Sequence, residues 1–159
     1  FSSSLLKDNG IKTDIVKEYL PIINSSINDY LTKMNFYVKF TLDESFSEKI
    51  EARGKEDFEY GCFSEGQKQR LDLAILFTWR KIAQMKNSLN CNLLIMDEIA
   101  DSKLNNEAAE AVWDALRSPE FESSNIYVIS HKTTISNRFE KVYDFSMKGN
   151  FTQVENRNE

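Results

Sequence analysis

The stretch Phe63-Ser64-Glu65-Gly66-Gln67-Lys68-Gln69-Arg70 begins a long apolar helix after a turn that contains a glycine. Ser64 stands three residues before Gln67, which is the spacing of a capping box, where two side chains satisfy free backbone amides. The same end of a helix carries a partial positive charge and unpaired amides, and it can bind a phosphate group. The pattern therefore has two interpretations, an ordinary capped helix and a phosphate contact.

Two apolar strands follow this helix, and each of them ends in polar residues. Leu93 to Met96 is followed by Asp97-Glu98, and Ile126 to Ile129 is followed by Ser130-His131. Continuous apolar runs are typical of parallel strands that are covered on both faces. Asn106 to Arg117 lies between the strands and has the apolar spacing of a crossover helix. Together they predict a right-handed βαβ unit.

The polar ends of the two strands are predicted to form one site, because ligands of open α/β sheets bind at the carboxyl ends of the strands. A carboxylate directly after a buried strand is the Walker B arrangement, which predicts that Asp97 holds Mg²⁺ through water opposite a nucleotide's phosphates. Glu98 is then placed to orient or deprotonate the attacking water. His131, the single histidine, is placed to donate to a transferring phosphate. A plain loop start and a strand-end histidine are the structural alternatives.

The segments before the signature stretch predict a helix and a pair of strands. Ile11 to Met34 has apolar residues at three- and four-residue spacings with Pro21 as a kink site, which fits a core helix or the end of a coiled coil. Asn35 to Asp43 alternates apolar and polar residues, and Glu48 to Arg53 is a weaker strand after a turn. We expect a half-exposed antiparallel pair.

Three further elements complete the predicted fold. The helix from Ser64 to about Met85 is apolar nearly all round and should be buried on two sides. Thr134 to Phe139 predicts a short helix, and Val142 to Met147 with Phe151 to Val154 predicts a terminal hairpin that turns at Lys148-Gly149-Asn150.

Composition limits the classes of function. A length of 159 residues with 41% hydrophobic content fits one domain with a core, and a net charge of −5 gives no argument for DNA contact. Cys62 and Cys91 lack metal-ligand spacing and are expected to be reduced, packed thiols of an intracellular protein. No apolar run approaches the roughly 20 residues that span a bilayer, which predicts a soluble, cytoplasmic protein without a membrane partner. Because Phe1 opens within a helical pattern, we expect a fragment.

In this order the motifs resemble those of the ATP-binding-cassette (ABC) ATPase heads. The resemblance covers about Phe63 to Lys132 and rests on four segments. Phe63 to Gln67 is similar to the signature motif, and Leu93 to Glu98 is similar to Walker B with its catalytic glutamate. Asp101 to Asn105 is similar to the D-loop, and Ser130-His131 is similar to the switch histidine. The long offset between Ser64 and Asp97, and Ile99 in place of the transporters' proline, favour the SMC-like DNA-repair branch. That branch includes SbcC and the ATPase subunits of bacteriophage recombination endonucleases.

Two departures from the family pattern matter. The chain contains no G-x-x-x-x-G-K-[ST], so the Walker A loop that cradles phosphates is absent from it. The D-loop also differs, because Leu104 is followed by Asn105 rather than by aspartate, and the segment is longer by one residue than the family pattern. The resemblance therefore implies the C-terminal lobe of a head, over residues 35–159. This lobe is an α/β unit with a mostly parallel sheet and flanking helices, preceded by an antiparallel β pair and, over residues 1–34, by the end of a coiled coil.

The resemblance also implies a mechanism in which two heads enclose ATP and Mg²⁺. The signature residues would face the γ-phosphate of a nucleotide held by the opposite subunit, next to the D-loop; they are Ser64, Glu65, Gly66, Gln67 and Lys68, with Asp101, Ser102 and Asn105 in the D-loop. Asp97 would serve magnesium, Glu98 the water and His131 the γ-phosphate of the nucleotide on their own subunit. Lys68 would couple head closure to the coiled coil.

The implied partners are the N-terminal Walker A lobe of the same protein, a second copy of the head, a nuclease subunit and DNA. ATP would close the heads and hydrolysis would release them, which would gate the nuclease in double-strand-break processing and recombination, in the host cytoplasm for a phage protein. Two alternatives stay open: a transporter-type nucleotide-binding lobe, and a non-catalytic structural or DNA-binding module that kept the fold.

Overall fold

The computed structural model describes residues 8–45, 47–52, 58–86, 91–99 and 104–157, with side chains from residue 18 onward. The helices and strands follow in the order α1 (Asp8–Lys33), β1 (Lys39–Leu42), β2 (Glu48–Glu51), α2 (Glu65–Met85), β3 (Leu93–Asp97), α3 (Asn106–Leu116), β4 (Asn125–Ile129), β5 (Tyr143–Lys148) and β6 (Phe151–Asn156). Short 3₁₀ turns lie at Tyr60–Cys62, Pro119–Phe121 and Thr133–Arg138, and the last of them replaces the predicted short helix.

Helix α1 packs beside the antiparallel pair β1–β2, and two of its side chains form hydrogen bonds with the backbone of β1 on the side away from β2. Asn28 accepts from the backbone amide of Phe40 at 2.9 Å and donates to its carbonyl at 2.7 Å. Asn24, one turn earlier, makes the same two bonds to Leu42 at 2.8 and 3.0 Å. Four residues of helix rise about 6 Å, close to the length of two residues of strand, so the two asparagines match alternate positions of β1.

Helix α2 lies at the centre of the core, but one of its faces is open. Six of its residues are buried: Leu71, Leu73, Ala74, Phe77, Thr78 and Ile82. The prediction of burial on two sides is wrong for Leu76 and Trp79, which are 49% and 44% exposed. An aromatic cluster joins α1, α2 and the turn after α3, because the rings of Tyr30 and Phe121 pack against Phe77 at 5.5 and 5.1 Å.

Strands β3 and β4 form the predicted parallel pair, in register from Leu93 opposite Asn125 to Asp97 opposite Ile129. Helix α3 connects them and buries the apolar side that the sequence predicted, including Val112 and Trp113. The expectation that both faces of the pair are covered is wrong in this chain. Met96 is buried on the inner face, whereas Ile95, Tyr127 and Ile129 on the outer face are 58%, 58% and 52% exposed.

Strands β5 and β6 form the predicted terminal hairpin, which turns at Gly149 with a φ of 64°. Side chains alternate along a strand, so Tyr143, Phe145 and Met147 share one face with Val154 of β6, and all four are exposed. Within the described ranges the strands therefore pair two by two, one pair parallel and two antiparallel.

Two other sequence expectations concern the surface. Both cysteines are free thiols, but both are exposed, so the prediction that they pack in the core is wrong. The reason is local: Cys62 ends a 3₁₀ turn, and Cys91 lies two residues before β3, outside the packed part of the strand. No helix in the described part of the chain is long and apolar enough to span a bilayer.

Candidate nucleotide site

Glu98 and His131 come together at the carboxyl ends of β3 and β4. His131 Nε2 lies 2.7 Å from Glu98 Oε1, and both side chains are largely open to solvent. Parallel pairing places the two residues at one edge, since the backbone amide of Glu98 donates to the carbonyl of Ile129 at 2.9 Å. Glu98 has a φ of 51°, in the left-handed region that costs a non-glycine residue about 1 kcal/mol.

Asp97 ends β3 on its outer face, the face that also carries Ile95. Its side chain is exposed, and within the described residues its carboxylate has neither a hydrogen bond nor an ion pair. The described residues include no cluster of three or more metal-ligating side chains. A single free carboxylate fits magnesium that is held by one protein oxygen, water and phosphate oxygens.

Ser64 caps helix α2 as the sequence predicts. Its Oγ accepts from the amide of Gln67 at 3.4 Å, and its own amide donates to Gln67 Oε1 at 2.9 Å, which completes the capping box. Ser64 and Glu65 are exposed, whereas Gly66 and Gln67 are half-buried. The capped end of the helix therefore faces solvent with its hydroxyl accessible.

Lys68 packs on the outer side of the first turns of α2. Its ammonium lies 3.0 Å from Glu65 Oε1 and 5.8 Å from the centre of the Tyr60 ring. Tyr60 donates to Asp72 at 3.0 Å. Two main causes raise the pKa of Tyr60 to about 12: the larger is desolvation by burial, and the smaller is the hydrogen bond to Asp72. The contacts of Lys68 thus stay beside its own helix, and none of those described reaches α1.

Arg70 contacts the residues that directly follow α1, whereas the role expected for Lys68 in head closure stays a prediction. Its guanidinium donates to the carbonyls of Met34 and Asn35 at 3.3 and 3.2 Å and stacks over the ring of Phe36 at 4.8 Å. Burial lowers the pKa of Arg70, but a guanidinium titrates so high that it stays charged. Phe63, just before the cap, packs edge-on against Phe36 at 5.5 Å. The end of α1 and the start of α2 therefore form one junction.

The D-loop is described only at its last two positions, Leu104 and Asn105. Asp101 and Ser102 lie outside the described residues. Asn105 is the N-cap of α3, where its Oδ1 accepts from the amide of Ala108 at 2.8 Å. Asparagine and aspartate cap helices about equally well, so the capping role is kept although the family's aspartate is replaced.

The structure thus joins Glu98 to His131, places Asp97 beside them, and keeps the hydrogen bonds of Ser64 within its own helix. Sequence reasoning missed two residues of α2: Arg70, which contacts the residues after α1, and Gln69, which contacts the loop after Glu98. Gln69 Nε2 donates to the carbonyl of Ile99, directly after Glu98. Little in the sequence distinguishes them, because helix α2 carries several other polar side chains, among them Lys68, Asp72 and Arg80.

Comparison with known sequences supports the resemblance. The chain is 41% identical over 150 residues to exonuclease subunit 2 of Enterobacteria phage T4, and it matches exonuclease subunit 2 of Escherichia phage RB69 equally well. Each match covers 94% of this chain and 26% of the relative, so the chain spans about a quarter of the length of these relatives. No protein-family model matches the chain.

Comparison with solved structures confirms the predicted fold class. A structure from work on the ATP-driven dimerization and DNA-stimulated activation of SMC ATPases matches 91% of this chain and 88% of its own, with a TM-score of 0.72 and 19% identity. The Smc head domain of Pyrococcus furiosus, with an extended coiled coil and bound to the C-terminal domain of ScpA, matches 91% of this chain and 36% of its own, with a TM-score of 0.69 and 18% identity. The chain has the fold of the C-terminal lobe of an SMC ATPase head.

Proposed function

We propose that this chain, which shares its fold with SMC heads and its sequence with phage exonuclease subunits, is the signature and Walker B half of an ATP-hydrolysing head. The complete head closes on a second copy with ATP between them, and this movement gates a nuclease partner that processes DNA ends for recombination. The 41% identity with an exonuclease subunit favours this function over the transporter-type alternative.

The observation that carries the proposal is the contact between Glu98 and His131. A general base must lie within hydrogen-bonding reach of the water that it activates, and Glu98 stands exposed at the carboxyl edge of a parallel pair with an imidazole at 2.7 Å. The ring holds the carboxylate at this edge. When a γ-phosphate is present, the same Nε2 is placed to donate to it, while Glu98 takes the proton of the attacking water.

The N-terminal lobe is the proposed partner for the outer face of β3–β4. Ile95, Tyr127 and Ile129 form an apolar surface on this face, and contiguous apolar surfaces of this kind mark interaction sites. Asp97 lies on the same face as Ile95 because the two are separated by one residue of strand. A lobe that covers this apolar surface would lie next to Asp97, and in our proposal its Walker A loop is the part that faces this residue. The relatives, about four times as long as this chain, have room for such a lobe.

Asp97 is the residue that would hold Mg²⁺, as its free carboxylate allows. Bound there, magnesium would neutralise charge on the β- and γ-phosphates. Asp97 needs no second protein ligand for this, because magnesium in nucleotide sites keeps several waters and phosphate oxygens.

The start of α2 is the proposed contact with the nucleotide of the opposite head. Ser64 caps the helix through its Oγ as an acceptor, so its hydroxyl proton is left to donate to a phosphate oxygen. The exposed helix end adds its partial positive charge. Structural capping and phosphate binding thus use the same side chain.

Glu98→Gln in the full-length protein tests the assignment of the base. General-base catalysis contributes about 10² to 10⁴ in rate, so we expect kcat for ATP hydrolysis to fall by at least about 100-fold. Binding of ATP should persist, and ATP should trap a dimer of closed heads in size-exclusion chromatography. Glu122→Gln, the same change at an exposed position after α3, should behave as wild type. Near-normal hydrolysis by Glu98→Gln would remove Glu98 as the base.

A further inference from the structure

Gln69 links the two halves of the catalytic machinery within this chain. It lies in the second turn of α2, about 7.5 Å of helix rise beyond Ser64. Its side-chain amide donates to the carbonyl of Ile99, the residue after Glu98. One carboxamide therefore connects the helix that carries the signature motif to the loop that carries the base.

The loop that Gln69 contacts is held from both sides. Glu98 has a left-handed backbone, which a glutamate adopts only where neighbouring bonds enforce it. Before the turn, the amide of Glu98 donates to Ile129 of β4, and after it, the carbonyl of Ile99 accepts from Gln69. The orientation of the Glu98 carboxylate therefore depends on where α2 lies.

The surroundings of Gln69 indicate that the bond is specific. Its Oε1 is buried and, within the described residues, accepts no hydrogen bond, so the bond from Nε2 to Ile99 is the one hydrogen bond of this carboxamide among them. It lines a cleft of about 280 Å³ together with the aliphatic side chains of Leu73, Leu76 and Ile99 and the polar side chains of Tyr60, Glu65, Lys68 and Asp72. In such a setting a leucine would fill the same space without leaving a buried polar atom unpaired.

We propose that Gln69 is a positioning residue that couples the two nucleotide sites of the head dimer. This inference rests on the proposed function, in which Ser64 contacts the nucleotide of the opposite head and Glu98 acts on the nucleotide of its own. A phosphate that engages Ser64 shifts α2, and Gln69 passes the shift to the turn at Glu98. Each head then aligns its own base when it has bound the nucleotide of its partner, which makes hydrolysis positively cooperative.

The test is ATP hydrolysis by the full-length protein over a range of ATP concentrations, with three variants. Gln69→Leu removes the donor and keeps the volume, Gln69→Glu keeps shape and polarity but cannot donate, and Gln84→Leu repeats the first change at an exposed position of the same helix. For both Gln69 variants we expect kcat to fall by about five- to tenfold and the Hill coefficient to approach unity. Binding of a non-hydrolysable ATP analogue should change by less than about twofold. Gln84→Leu should match wild type.

Several results would overturn the inference. No coupling passes through this bond if both Gln69 variants keep the kcat and the Hill coefficient of the wild-type protein. The same conclusion follows if the wild-type protein itself has a Hill coefficient of unity. Normal behaviour of Gln69→Glu alone would show that only packing matters. If Gln69→Leu does not fold, Gln69→Asn, which is one methylene too short to reach Ile99, replaces it with the same expected loss. A wild-type protein that does not hydrolyse ATP would instead contradict the proposed function itself.

Discussion

Ser64 shows how one side chain serves both folding and the proposed chemistry. Its Oγ accepts from the amide of Gln67, and removal of a capping hydroxyl costs about 1 kcal/mol. We expect Ser64→Ala to lower the free energy of unfolding of this chain by that amount in urea titrations. Ser118→Ala is the matched control, because Ser118 begins a 3₁₀ turn without a side-chain cap and its buried Oγ has no partner among the described residues. Equal losses in the two variants would contradict the capping role.

At this scale the sequence predicts chemistry better than contacts. The capping box follows from the spacing of Ser64 and Gln67 alone, because a cap is a local interaction. The contact of Glu98 with His131 could be expected only as nearness at one sheet edge. The hydrogen bonds of Gln69 and Arg70 were not predicted, because each is made to a backbone carbonyl that is distant in sequence. Every residue has a backbone carbonyl, so the sequence does not indicate which one is the acceptor.

At the scale of helices and strands, the hydrogen bonds of Asn24 and Asn28 join helix α1 to strand β1. Asn28→Ala would leave both the amide and the carbonyl of Phe40 without their partner, and Phe40 is 2% exposed. Loss of two such bonds should destabilise the chain by about 2 kcal/mol. We expect a lower urea midpoint and faster hydrogen exchange at the Phe40 amide.

The control for this prediction is Asn137→Ala, the same change at an exposed position of the last 3₁₀ turn. It should leave both measurements unchanged. The prediction is contradicted if the Asn28→Ala variant has the same urea midpoint and the same exchange rate at the Phe40 amide as the control. Helix α1 would then not stabilise the edge of β1.

The order and type of the elements could be predicted, because hydrophobic period and turn residues are local signals. Strands β1 to β6 and helices α1 to α3 lie within a few residues of the expected ranges. Burial was predicted less well. The apolar runs of β3 and β4 indicate a sheet covered on both faces, and the exposed Ile95 and Tyr127 are consistent with an outer cover that lies in another part of the protein.

At the scale of the whole molecule the proposed site is complete on one side only. In our proposal the chain contributes a base, a carboxylate for magnesium and a capped helix end, and no Walker A loop occurs in its sequence. The exposed outer face of β3–β4, which includes Asp97, is where we expect the other lobe to dock. A nucleotide's phosphates would then lie between the two lobes.

Isothermal titration calorimetry of Mg-ATP tests this central claim most directly. The chain alone should give no saturable heat in the micromolar range, and addition of the N-terminal lobe should restore a saturable site. Ile95→Lys should prevent this restoration, because it places a charge on the apolar face that the lobe would bury. A saturable micromolar site in the isolated chain would contradict the account.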